Sequence, residues 1–227
     1  MSQPDAISET VALPTVIPVF PLAGVLLLPR AELPLNIFEP RYLEMVRDAM
    51  ARESIIGIIQ PSEDSAADEP PLFEIGCAGR ITAFSETEDG RYLITLCGVQ
   101  RFRVEEELHR TTPYRQVKVS YDAFAGDLMT PLAEAGVARE RLIAVLKAYL
   151  AQRGLEAEWS AIESAPDETL VNALAMICPF RPAEKQALLE ANSLTERTQS
   201  MIALMEFALA EAEDEPDETD RGPRRLH

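Results

Sequence analysis

Residues 16–42 read VIPVFPLAGVLLLPRAELPLNIFEPRY, and the fold follows from how this stretch is parsed. Pro18, Pro21, Pro29 and Pro34 break it at short intervals. Proline removes a backbone donor and fixes φ, so no single helix crosses the stretch and it must be several short extended pieces. Leu33, Leu35 and Ile37 alternate with Pro34 and Asn36 in the period of a half-buried strand. The character then changes. Pro40 stands where a first helical turn accepts proline, and Leu43, Val46 and Met50, flanked by Met45 and Ala49, follow at helical spacing. A strand-rich opening therefore runs straight into a helix.

The apolar run is neither a signal segment nor a membrane span by its own chemistry. The first cation of the chain, Arg30, follows the run instead of preceding it, and the prolines interrupt the roughly 20 apolar residues a spanning helix needs.

Downstream, Ser54 to Gln60 is a β-branched run that reads as a central strand. Leu72–Ser85 and Tyr92–Leu108 read as two long strands joined by a Glu88-Asp89-Gly90 turn, and Tyr114–Phe124 as a further one. Gly98 interrupts the second long strand where a bulge or bend is useful. Beyond it, Arg101 and Arg103 alternate with Phe102 and Val104, which predicts one wet face and one dry face. Six or seven strands linked by hairpins, with one helix, predict a mainly antiparallel barrel before residue 125.

From Thr130-Pro131, a cap with a first-turn proline, the pattern is helical. Leu142, Leu146 and Tyr149, with Ile143, Val145 and Leu150, make one apolar face, and Trp159 and Ile162 fall in a short helix. Ser164-x-x-Asp167 and Ser193-x-x-Glu196 have capping-box spacing and predict helices over about 166–178 and 194–212. Pro179 ends the first of these, and Pro182 starts one between them. Met201, Leu204, Met205 and Ala208 form a stripe that reads as core more readily than as an adaptable peptide-binding surface. The predicted organisation is a flexible tail over 1–12, a β-rich part over 13–125, a helical part over 126–212 and a disordered acidic tail over 213–227.

Composition narrows the function. The 227 residues carry 38 acids against 21 bases, a net charge of −17. The acids crowd into Glu211–Asp220 and Glu63–Glu74, which predicts solvated segments and argues against a nucleic-acid partner. Three widely spaced cysteines, Cys77, Cys97 and Cys178, form no disulfide framework and suit buried thiols in a cytoplasmic protein.

The order VFPL-x-G, LPL-x-IFEPRY, Ile55–Ile59, Glu74–Ile81, Gly90–Val104 and then Asn172–Phe180 with Glu184-Lys185-Gln186 resembles the Lon protease N-terminal, or substrate-binding, domain family. In particular it resembles freestanding bacterial members without the ATPase and peptidase modules. The resemblance implies an α+β fold: a PUA-like, mainly antiparallel pseudo-barrel followed by a C-terminal helical bundle. It implies a non-catalytic role in recognising polypeptides, selecting substrates or partners for proteolysis, with a protease as a partner and no membrane contact.

A search for chemistry is consistent with that reading. The only lysines are Lys118, Lys147 and Lys185, and none follows a glycine, so no phosphate-binding loop is encoded. Lys118 and Ser120 share a strand face that reads as solvent-bound, a poor serine–lysine dyad. No Gly-x-Ser-x-Gly elbow occurs. His109 reads as an exposed loop residue, and no ligand spacing suggests a metal or cofactor. Acidic pairs such as Glu105-Glu106 lack an apolar pocket that would set one apart as acid and the other as base. Glu39 and Arg41 flank Pro40 and have two readings: they lock the turn, or Arg41 and Tyr42, with Arg101, border a groove for an extended peptide. In the second reading Pro21, Leu22, Phe38, Arg41, Tyr42 and Arg101 are the candidate contacts. Two other classes stay open, a PUA-like RNA binder and an unrecognised hydrolase that depends on Cys97 or His109.

Overall fold

Proline and glycine set where the strands of the N-terminal half start, bend and stop. The computed structural model describes residues 13–62, 69–109, 111–129 and 137–214. The chain divides into two compact units, Met1–Met129 and Thr130–His227.

In the first unit, six strands, β1 (Val16–Pro21), β2 (Glu32–Ile37), β3 (Ile55–Ile59), β4 (Ile75–Glu86), β5 (Tyr92–Glu107) and β6 (Gln116–Ser120), enclose helix α1 (Pro40–Met50) in sequence between β2 and β3. The order β5-β4-β3-β1-β6 closes on itself through a second β5–β6 pairing, giving a ring-like sheet in place of a regular barrel. Among the described strands only β1 and β3 pair in parallel, because α1 carries the chain over between them. Eight side chains fill the ring: Ile17, Val19, Ile55, Ile59, Ala78, Phe102, Val117 and Val119.

The 16-residue strand β5 serves two neighbourhoods. Residues 103–107 pair with β6 and close the ring, whereas residues 92–97 pair with β2 and, with the end of β4, form a three-stranded flap. The two halves meet at a bulge: Gly79 faces Gly98 but Ala78 faces Gln100, leaving Val99 extra. Gly98 is there because the loop bearing buried Leu26, Leu27 and Leu28 crosses it. A Cβ at 98 would lie 2.0 Å from the Leu28 carbonyl oxygen. The Arg30 amide instead donates to Gly98 O at 2.7 Å, and the Gly98 amide to Ala31 O at 2.9 Å. The hairpin between β4 and β5 turns at Gly90, with φ +79.

Four expectations for this unit change. The strand expected from Leu72 starts at Ile75, Leu72 making only an isolated bridge to Pro61. The strand expected over Tyr114–Phe124 spans only Gln116–Ser120, and a 3₁₀ turn, Asp122–Leu128, follows. Helix α1 buries Tyr42, Met45, Val46 and Ala49, while Met50 is exposed; the Tyr42 ring, 4.2 Å from that of Phe20, rotates the buried face toward residue 42. Arg101 is not on a wet face. Its guanidinium is buried on Asp127 of the 3₁₀ turn, 2.9 Å from Nε to Oδ2 and 2.8 Å from Nη2 to Oδ1. Its backbone amide donates to the same carboxylate.

The second unit is a helical bundle of α2 (Arg139–Gln152), α3 (Trp159–Ser164), α4 (Asp167–Ile177), α5 (Pro182–Glu190) and α6 (Leu194–Asp214). Leu142, Leu146 and Tyr149 of α2 are buried, as are Met201, Ile202 and Met205 of α6, so the methionine stripe is core. The Ser193 cap forms: the Glu196 amide donates to Ser193 Oγ at 3.0 Å, and Glu196 Oε2 accepts from the Asn192 amide at 2.8 Å. The Ser164 box does not form, because Ser164 ends α3 and bonds Ala161 O, and Pro166 holds the N-cap position of α4. Two buried cations cap carbonyls instead: Lys185 Nζ donates to Met176 O at 2.7 Å and Arg197 Nε to Leu188 O at 2.8 Å. Residues 213 and 214 close α6; the remainder of the two expected tails and the Thr130-Pro131 cap lie outside the described residues.

Candidate functional site

Two surfaces of the first unit gather apolar side chains at the solvent boundary. One is the flap. Its rungs run across three strands: Asn36–Leu93–Ser85, Leu35–Ile94–Phe84 and Pro34–Thr95–Ala83. These nine residues line a shallow trough of about 460 Å³ that contains no charged side chain. Leu93 is 46% exposed between the short side chains of Asn36 and Ser85, whereas Phe84, paired with Ile94, turns to the other face of the flap, 40% exposed with its ring edge on Tyr92 at 4.9 Å. The outer strand β2 has β5 as its one partner, and Pro34 in its middle, lacking an N–H, blunts the open edge against uncontrolled strand addition.

The other surface is a recess of about 250 Å³ lined by Pro21, Ala23, Arg41, Tyr42, Pro61, Pro70, Pro113, Tyr114 and Arg115. Arg41 lies over the Tyr42 ring at 4.6 Å. Glu39 occupies the N-cap position of α1 without capping it. Its Oε2 accepts instead from Arg41 Nε at 2.9 Å and lies 2.8 Å from Nη2. Arg115 is fixed more firmly, by both oxygens of Glu107 at 2.6 and 2.5 Å and by Pro70 O at 2.8 Å. Tyr114 donates to Asp48 Oδ2 at 2.6 Å. Burial first, and then this hydrogen bond, push its phenol up to about 12.

Of the six candidate contacts, the recess unites Pro21, Arg41 and Tyr42. Leu22 is half-buried, its amide bonded to Ile59 O. Phe38, 64% exposed, stands one residue past β2 and three before Arg41. Arg101 is not brought to this surface, because the buried Asp127 carboxylate claims its donors. Sequence reading missed Leu93, Tyr114 and Arg115. Leu93 had a signal, since it is the apolar residue out of phase with Tyr92, Ile94 and Leu96. The recess had none, because its proline walls come from three distant segments.

The residues tested for catalysis are placed unfavourably for it. Lys118 Nζ pairs with Glu105 at 2.9 Å, and Ser120 Oγ accepts from the Asp122 amide at 3.3 Å. His109 is exposed. Cys77 and Cys178 are buried and Cys97 half-buried, all as free thiols. Burial pushes the Cys178 thiol up to about 11, away from thiolate chemistry. Among the described residues no helix is long and apolar enough to cross a membrane.

The family model described as the ATP-dependent protease La (LON) substrate-binding domain matches residues 16–206. The Lon protease of Dictyoglomus thermophilum is 27% identical over 210 residues, which cover 86% of this chain and 25% of that protein. Lon protease 2 of Thermus thermophilus is 25% identical over 205 residues, covering 87% and 25%. The chain thus spans about a quarter of the length of these relatives, and the match lies in the substrate-binding part. Among solved structures, the Lon N-terminal domain protein from Xanthomonas campestris superposes with a TM-score of 0.57 at 25% identity, over 83% of this chain and 98% of that one. The N-terminal domain of the Mycobacterium avium complex Lon protease gives 0.60 at 20% identity over 84% and 98%, a likeness of fold.

Proposed function

We infer, from the premise that this chain belongs to the ATP-dependent protease La (LON) substrate-binding domain family, that it is a non-catalytic module recognising extended polypeptide. The observation that carries the reading is the uncharged trough of the flap. In a chain of net charge −17, nine uncharged residues on three adjacent strands make a surface suited to apolar side chains of an unfolded segment. Such a surface gains little from a phosphate backbone, because it offers no cation. Leu93 and Pro34 supply apolar area, the short side chains of Ser85 and Ala83 supply depth, and strand geometry favours an extended partner. Phe38, exposed one residue past β2, and Pro21, Leu22, Arg41 and Tyr42 are the further candidate contacts. The partners are polypeptides selected for proteolysis that an ATPase and peptidase of the Lon kind would carry out.

The test is the affinity of the intact chain for a permanently unfolded, dye-labelled polypeptide. Burial of a leucine side chain stabilises by about 1.5–3 kcal/mol when complete. Leu93→Ser is therefore expected to weaken binding about tenfold while leaving thermal unfolding almost unchanged. Unaltered affinity in Leu93→Ser would remove the trough from the account.

A further inference from the structure

The recess differs in kind from the trough. Among the described residues its walls carry two guanidinium groups, Arg41 and Arg115, and no carboxylate, in a chain with 38 acids and 21 bases. The acids that pair with these arginines, Glu39 and Glu107, stand outside the lining. The rest of the wall is four prolines, an alanine and two tyrosines, which is rigid and largely apolar. A ligand that matches it must offer a carboxylate and a compact apolar group within about the size of one residue.

We propose that this recess receives the C-terminal residue of a bound polypeptide, the terminal carboxylate on Arg41 and the last side chain against Pro21, Pro61 and Pro113. The proposal rests on the reading that the chain binds polypeptides, and adds to it a preference for a chain end. A C-terminal residue carries both required groups on a single Cα. An internal aspartate or glutamate brings the charge without the apolar group, and its backbone must both enter and leave the recess. Arg41 is the receptor rather than Arg115, whose donors are held by Glu107 and Pro70 O. The pair of Arg41 with Glu39 is half-exposed, and both close contacts go to one oxygen, Oε2. Its Nη1 has no partner among the described residues. A second carboxylate can therefore join or replace Glu39 at little cost, and the guanidinium stays parked over the Tyr42 ring while it does so.

The experiment measures fluorescence anisotropy of the intact chain with dye-labelled ten-residue peptides ending in Ala-Leu, uncharged apart from the terminus. One has a free carboxylate, one is amidated, and one is amidated with an aspartate in the penultimate position. Amidation is expected to weaken binding at least tenfold. Arg41→Gln should bring the free acid to the level of the amide, and Glu39→Gln, which removes the competing carboxylate, should tighten the free acid alone. Leu93→Ser should leave the acid-to-amide ratio unchanged. Equal binding of acid and amide overturns the proposal without reference to any variant. Equal binding of the free acid and the aspartate peptide overturns it in favour of an internal acidic residue. If acid and amide bind equally but both weaken in Leu93→Ser, the recess falls and polypeptide recognition stands; if no peptide binds, both fall.

Discussion

Two arginines of the same unit sit in opposite regimes. Around Arg101 the molecule is closed: the guanidinium and its backbone amide are spent on the buried Asp127 carboxylate. The Arg101 side chain lies over Phe124 at 4.5 Å, and the neighbouring Gln100 amide bonds the Tyr121 and Phe124 carbonyls at 3.2 and 3.0 Å. Around Arg41 the molecule is open, with an ion pair whose two side chains are 42% and 43% exposed beside the recess. Both arginines follow an apolar strand run, and both are candidates from sequence. What separates a structural cation from one available to a ligand is whether its partner is buried with it.

The contrast is most easily broken at Asp127. Asp127→Ala strands a buried guanidinium and is expected to cost about 3–5 kcal/mol of stability, read by urea unfolding; a loss near that of a surface change would mean that the clamp is ornamental. Gly98→Ala comes next. It drives a methyl group into the Leu28 carbonyl, with an expected cost of about 1–3 kcal/mol on the same measurement.

Alkaline titration gives a smaller and conditional effect. Below the ordinary tyrosine value of about 10, Tyr114 is protonated whether the chain is folded or not, and its contribution does not vary with pH. Between 10 and its folded value of about 12 the unfolded chain loses the proton while the folded chain keeps it, so stability falls as pH rises. Burial raises Tyr121 as well, with the same sign. Tyr114→Phe should flatten part of this slope, and an unchanged slope would place the effect elsewhere. On the open side, Glu39→Ala should cost less than about 1 kcal/mol, which sharpens the comparison because it removes an ion pair as short as that of Arg101.

Much of this was open to a reader of the sequence, for identifiable reasons. Leu33, Leu35 and Ile37 reported β2 because a two-residue period has one structural meaning when prolines rule out a helix. Pro40 located the start of α1, and Gly98 marked the bend in β5. The Arg101 pairing was not readable, since its partner lies 26 residues on, just past the strand expected over Tyr114–Phe124, and only the 3₁₀ turn brings it back. Tyr42 has a groove reading as one of two alternatives in sequence, and the structure buries most of its ring on Phe20 while keeping it in the wall of the recess. The trough escaped notice because the pairing of β2 with one half of β5 decides which of the two half-covered faces stays uncovered.

The central claim is that the flap grips unfolded polypeptide. A photo-crosslinking amino acid in place of Leu93, with a second protein carrying it in place of Lys147 on the helical unit as reference, tests this most directly. Illumination with an unfolded polypeptide should give adducts at position 93 far in excess of position 147, and none at either with the same polypeptide folded. Equal yields at the two positions, or adducts at 147 alone, would contradict it.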